Sequence, residues 1–306
     1  MHFQWLNTLR LAAILAGLPM LVYWAGKEQA LDLESGFSVG LLGGIALSQL
    51  SMVLYAIRFR TVLTTVGIHL PIMTALRMTA LSLFYYFFVP LSVGSDITKF
   101  VKLKAANHNA FDSASAIVID HMVGLSSLII LAGSVFIWHR PIDIDIPTAA
   151  GGALIMVVVL GIAVGALRYH RSHSGRDSAS ISNLLKGIWR HRFTVLFALA
   201  LALAMHSSMI LAVFVGSHHW GFDIAFTDMM FVMATAMMFQ AIPFTLAGAG
   251  VAEAAGTGLY LAVGLPLPAA LLLVSLVYGF RLLMAIVGGV WDLLPDNNGH
   301  NRIVER

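Results

Sequence analysis

Phe87-Phe88-Val89-Pro90-Leu91-Ser92-Val93-Gly94 and Ala241-Ile242-Pro243-Phe244-Thr245-Leu246-Ala247-Gly248 repeat one arrangement. Each sets a proline, an apolar residue, a Ser or Thr, another apolar residue and a small residue inside membrane-length hydrophobic sequence. Proline removes a helical hydrogen bond and clashes with the preceding turn, and the small residues weaken the helix further. In hydrocarbon, the backbone groups freed this way are tolerated only inside protein or beside a watery cavity. A carboxylate follows each break, Asp96 in the first copy and Glu253, three residues after Gly250, in the second. Paired breaks in corresponding positions of two halves point to a transporter-like binding site.

Composition agrees with that class. Of 306 residues, 59% are hydrophobic and 11% charged, and the mean hydropathy is +0.86. A chain this apolar is read by its spans rather than by soluble domains. Cysteine is absent, which excludes a disulfide framework and a thiolate metal site. The net charge of +3 matters through its placement, because Lys and Arg in loops set membrane orientation. The apolar stretch after Arg10 lacks a small-x-small cleavage site and reads as a retained first helix.

Full spans are expected at roughly 8–25, 37–57, 113–138, 147–167, 194–217 and 267–293, with the breaks inside two further apolar blocks, 72–92 and 228–264. The linker after 167 carries Arg168, Arg171, Arg176, Lys186, Arg190 and Arg192 against Asp177, and reads as cytoplasmic. Counting outward, 139–146 and 26–36 fall outside, while Arg10, Lys99, Lys102 and Lys104 fall inside. Arg58 and Arg60, at the end of the second span, also belong inside. The block between them and Lys99 therefore cannot cross once; it enters from the cytoplasm, breaks near Pro90 and returns. The same reasoning makes 228–264 a hairpin entered from outside if the tail with Arg302 and Arg306 is cytoplasmic.

The expected fold is thus an all-α polytopic membrane protein with eight hydrophobic segments: about six full spans plus two broken re-entrant helical hairpins, arranged as an inverted repeat. One transmembrane domain occupies 1–294, its halves 1–167 and 194–294 joined by the basic linker 168–193, with 295–306 as a cytoplasmic tail. Both termini are expected in the cytoplasm and the chain in the cytoplasmic membrane. Eight simple spans, with Arg58 and Arg60 outside, is the alternative.

Several residues are candidates for chemistry. Asp120 and His121 lie within an apolar span, where a charge costs about 2.5–3.5 kcal/mol on insertion scales. They serve either a site or a buried pair that fixes packing. Arg281 occupies the last span. It either neutralises Asp120, Asp96 or Glu253, or grips an anionic ligand with its planar fork. Asp96 and Glu253 also suit a helix first turn, and Arg58 and Arg60 either anchor topology or hold a lipid phosphate. Phe84 to Phe88 and the cluster Met229, Met230, Met233, Met237 and Met238 suit packing or an acyl-chain groove. No nucleophile triad, phosphate loop, dinucleotide fingerprint or metal-ligand spacing is present, so neither enzymatic chemistry, a cofactor nor a nucleic-acid partner is expected.

These residues resemble the lysylphosphatidylglycerol synthase transmembrane family, whose members are also described as flippase-like. Tyr55-Ala56-Ile57-Arg58-Phe59-Arg60 is similar to its aromatic-Arg-x-Arg span end. Pro90 to Lys99 is similar to its Pro…Gly-Gly-Asp…Arg segment, and Asp120 to Leu125 to its Asp-Arg-x-x-Gly-Leu stretch. Pro243 to Glu253 resembles its Pro…Gly-x-Gly-x-Arg-Glu segment, and Arg281 falls where a late-span arginine is expected. Lys99, His121 and Ala252 depart from it, each standing where the family favours Arg. With the last span ending near 293, no soluble aminoacyl-transferase domain and no lysyl transfer are expected. The resemblance implies moving or binding a lipid whose head group must cross the bilayer.

The expected substrate site is Arg58, Arg60, Pro90, Ser92, Gly94, Asp96, Lys99, Asp120, Pro243, Thr245, Gly248, Gly250, Glu253 and Arg281. Membrane lipids with anionic head groups are the expected partners, with a homo-oligomer or a lipid-biosynthesis enzyme as protein partners. Two other readings stand beside the translocase: an ion-coupled carrier of a small soluble anion, and a non-transporting partner of lipid or glycan biosynthesis enzymes.

Overall fold

A computed structural model describes residues 39–88, 94–142, 190–241 and 251–293. Among them lie eight α-helices and no strands: α1 (Val39–Thr64), α2 (Ile72–Phe88), α3 (Gly94–Ala105), α4 (Ala110–His139), α5 (Arg192–Ser217), α6 (Phe226–Met238), α7 (Val251–Ala262) and α8 (Leu267–Leu293). Four of them, α1, α4, α5 and α8, are long and apolar enough to cross a membrane. At 1.5 Å per residue, the 26 residues of α1 extend about 39 Å, beyond the ~30 Å hydrocarbon core. The expected spans at 8–25 and 147–167 lie outside the described residues.

Both broken blocks are two helices each. The first helix of one ends at Phe88 and the next starts at Gly94; the other stops after a 3-10 turn at Phe239–Ala241 and restarts at Val251. Within each block the two helices pack on each other. Pro90, Ser92, Pro243, Thr245, Gly248 and Gly250 fall between these helices, outside the described residues.

Each described half therefore contributes a long helix, a helix pair and a long helix, and the packing is reciprocal. α2 packs on α8 as α6 packs on α4; α3 lies on α4 as α7 lies on α8; α2 touches α1 as α6 touches α5. The longest shared contact runs between α1 and α5. There Ser51 Oγ donates to the Met205 carbonyl at 3.0 Å and Ser208 Oγ donates to the Leu47 carbonyl at 2.8 Å. Residue numbers rise along one helix as they fall along the other, so α1 and α5 are antiparallel.

Small residues set these approaches, as they do between helices in lipid. A Cβ on Gly288 of α8 would stand 2.0 Å from the Ala80 carbonyl oxygen of α2, and one on Gly44 of α1 would stand 2.6 Å from the Ala212 carbonyl oxygen of α5. The core joins both halves through Met52, Leu128, Met209, Met229, Phe231 and Leu273, among others. Met229, Met233 and Met237, one turn apart on α6, are all buried.

One sequence expectation needs correction here. α1 does not end at 57 but continues through Thr64, so Arg58 sits inside the helix rather than at its end. Lys99 is expected both on the cytoplasmic side with Lys102 and Lys104 and in the substrate site. All three lie in α3, and while Lys102 and Lys104 are exposed, Lys99 is buried.

Candidate functional site

One face of α1 builds the first cluster. Tyr55, Arg58 and Phe59 fall within one helical turn, where residues three and four apart share a face. The Arg58 guanidinium grips Asp120 of α4 with two parallel bonds, Nε to Oδ1 at 2.9 Å and Nη2 to Oδ2 at 3.0 Å. Lys99 of α3 approaches the same carboxylate, its Nζ 3.6 Å from Oδ2. The ammonium also donates to the Tyr55 hydroxyl and lies 4.3 Å from the Tyr55 ring centroid and 4.4 Å from that of Phe59. Arg58, Lys99 and Asp120 are each under 5% exposed, so every charge is met inside the cluster rather than by solvent.

Gly124, one turn after Asp120, makes room for this arrangement. A Cβ there would lie 3.1 Å from Arg58 Nη1. Nearby, Asp96 Oδ2 meets His121 Nε2 at 3.0 Å, while Asp96 Oδ1 is buried without a hydrogen bond among the described residues. Gly94 starts α3 and its carbonyl accepts from Thr98 Oγ1. Arg60 is exposed and stands apart; its Nε donates to the Leu70 carbonyl at 2.8 Å, fastening the turn between α1 and α2.

The second group lies among α6, α7 and α8. A cleft there is lined by Arg281, Glu253, Gln240, Tyr278 and Tyr260, with Met233 and Met237 on its apolar wall. Glu253 occupies the first turn of α7, where the helix dipole favours an acid. Arg281 lies close to the midpoint of α8, half-buried, and among the described residues it makes no hydrogen bond or ion pair. The Tyr260 hydroxyl is buried, with no hydrogen-bond partner among the described residues. An orphaned buried hydroxyl costs roughly 1–3 kcal/mol, and a mid-membrane guanidinium about as much. Both penalties fall on one cleft.

The structure thus divides the expected site residues. Arg58, Lys99 and Asp120 form one cluster with Asp96 and Gly94 beside it, Glu253 and Arg281 share the cleft, and Arg60 joins neither. Of the alternatives open for Arg281, pairing with Asp120 is not the one seen: Arg58 and Lys99 meet that carboxylate, because α1 and α3 both pack against that part of α4.

Between the two groups lies a residue the sequence reading passed over. His206 of α5 is within electrostatic range of both Arg58 and Arg281. Its Nδ1 is 2.8 Å from Ser127 Oγ, and that hydroxyl donates its one proton to the Gly124 carbonyl at 2.7 Å. Ser127 therefore accepts, and Nδ1 carries the ring proton. An ionisable residue inside the apolar α5 was a signal of the same kind as Asp120. Tyr260 and Val277 gave none, because aromatic and branched residues are ordinary in a span.

The family model described as "Lysylphosphatidylglycerol synthase TM region" matches residues 8–289. No curated protein matches the chain.

Proposed function

We propose that this chain, which belongs to the lysylphosphatidylglycerol synthase transmembrane-region family, is a flippase-like translocase for an anionic or polyprenyl lipid. Membership and the four apolar helices make it a membrane protein related to lipid handling. The observation that carries the finer reading is Arg281. A half-buried guanidinium near the middle of a membrane-spanning helix, with no ion pair among the described residues, faces a cleft walled by Met233 and Met237. A fixed cation beside a deformable apolar wall suits a phosphate head group with its tail left in lipid.

Translocation requires the site to face each side in turn, which opposed halves provide. The antiparallel α1 and α5 and the reciprocal packing support an inverted repeat, with the two helix pairs entering from opposite sides. His139 at the end of α4 lies 3.2 Å from Asp228 in the first turn of α6. That contact supports placing these two ends on one face, the outer one by the loop charges. In this reading the chain has six full spans with both termini in the cytoplasm, and it performs no covalent chemistry.

The test is a reconstituted vesicle assay with labelled phosphatidylglycerol, phosphatidic acid and a polyprenyl phosphate, run beside a soluble organic phosphate. Movement of one of these lipids above empty vesicles, abolished by Arg281→Gln, is the expected result. Uptake of the soluble phosphate alone identifies a solute carrier instead. No movement of any lipid overturns the translocase reading.

A further inference from the structure

The two halves can be laid on each other by their helix starts. α3 begins at Gly94 and α7 at Val251, while α4 begins at Ala110 and α8 at Leu267, so one spacing of 157 residues relates both pairs. The helix ends obey it too. The His108 N–H bonds the Leu103 carbonyl as the Leu265 N–H bonds that of Tyr260, and Asn107 (φ 61°) and Gly264 (φ 95°) hold the same left-handed position. The register is therefore fixed at both ends of the short helix.

That spacing sets Asp96 on Glu253, His121 on Tyr278, Lys99 on Gly256, Asp120 on Val277 and Gly124 on Arg281. In the first half a guanidinium, that of Arg58, lies over position 124, where glycine leaves it space. In the second half a guanidinium is rooted at the equivalent position. The first is held by Asp120, one turn earlier on the same helix; the second has Val277 in that place, and Val277 lines the cleft. Lys99 fills the space beside Asp120, whereas its counterpart Gly256 adds no side chain to the cleft it borders.

We infer that the Arg58–Asp120–Lys99 cluster is a self-liganded copy of the site and the α6–α8 cleft the open copy, in which a lipid phosphate takes the place of the Asp120 carboxylate and Val277 is the residue that keeps that place vacant. This rests on the lipid reading of the cleft. Carboxylate and phosphate both present paired oxygens to a guanidinium fork, so one replaces the other without altering the geometry. The Tyr260 hydroxyl, buried and unpartnered among the described residues, is a second polar group that such a ligand or its water satisfies. The halves divide labour: the first is a fixed ion cluster, the second binds, and each chain takes one phosphate.

The decisive variant is Val277→Asp, which sets a carboxylate four residues before Arg281 on one helix face, the favourable order for such a pair. It builds into the second half the internal ligand that the first already has. Binding of a fluorescent short-chain phosphatidic acid is measured on the purified chain in neutral detergent, together with its melting temperature. Wild type and Val277→Thr are expected to saturate at one lipid per chain. Val277→Asp is expected to melt at or above wild type and to bind at least tenfold more weakly. A folded Val277→Asp protein that binds like wild type overturns the inference. If that variant does not fold, Arg281→Gln decides: unchanged binding overturns it, and loss with unchanged melting supports it. A chain that binds lipid in this Val277-dependent way but moves none across vesicles refutes translocation alone.

Discussion

Asp120→Asn is the perturbation whose cost follows most directly from the geometry. The carboxylate accepts two bonds from Arg58, at 2.9 and 3.0 Å, and faces the Lys99 ammonium at 3.6 Å. An amide keeps one acceptor oxygen, offers N–H groups where the second stood, and leaves two buried cations with their main counter-charge removed. Removing one partner of a buried pair costs about 3–5 kcal/mol, because the other charge stays desolvated. At roughly 2–4 °C per kcal/mol for a chain of this order of size, the midpoint should fall by about 10 °C. The assay is thermal unfolding in one detergent at one scan rate, since membrane proteins often unfold irreversibly. Lys99→Met added to Asp120→Asn removes one stranded cation, so the double variant should melt above Asp120→Asn alone. A shift within about 2 °C for Asp120→Asn, less than 1 kcal/mol, would refute the reasoning. It would mean that water reaches the cluster and screens it.

Other outcomes follow from the packing and the topology. Gly288→Ala places a Cβ 2.0 Å from the Ala80 carbonyl, so α8 must leave α2; overpacking of this kind costs about 1–3 kcal/mol or more, and an unchanged melting temperature would contradict the contact. Ser51→Ala and Ser208→Ala each delete one hydrogen bond between α1 and α5, and losses near 0.6 kcal/mol apiece are expected, as is usual between membrane helices. A loss above about 2 kcal/mol for either would show that these bonds do more than hold the two helices in register. In the cysteine-free chain, Lys104→Cys and Ala262→Cys place single thiols at near-equivalent ends of α3 and α7. An impermeant thiol reagent should reach the first only from the cytoplasm and the second only from outside. Labelling of both from one side would remove the inverted arrangement.

Much of the site was legible from cost alone. Asp120 and Arg281 stand out because a charge inside an apolar span must be answered, and that holds for any fold. What answers them was not legible. By sequence Arg58 is a topology anchor or a phosphate ligand at the end of a span, yet α1 continues six residues past it, to Thr64, and its side chain is buried. Lys99 stands in the expected site and also, with Lys102 and Lys104, among the topology signals, but a cluster of lysines carries no sign of which one is buried. His206 was missed because one histidine in the long apolar run of α5 changes its hydropathy little.

The sequence by itself determined the helical membrane class and the four described apolar helices. Both follow from a local quantity, hydrophobic length. Only the tertiary structure decided the pairing. Asp120 could reach Arg58, Lys99 or Arg281 by charge alone, and that choice depends on α1 and α3 packing against one part of α4 while the middle of α8 borders a cleft with α6 and α7. Arg58 meets a carboxylate, with Gly124 leaving it room, while Arg281 faces a cleft that Val277 helps to line. Small apolar residues gain meaning only once the helices around them are in place, because what they contribute is the space beside them.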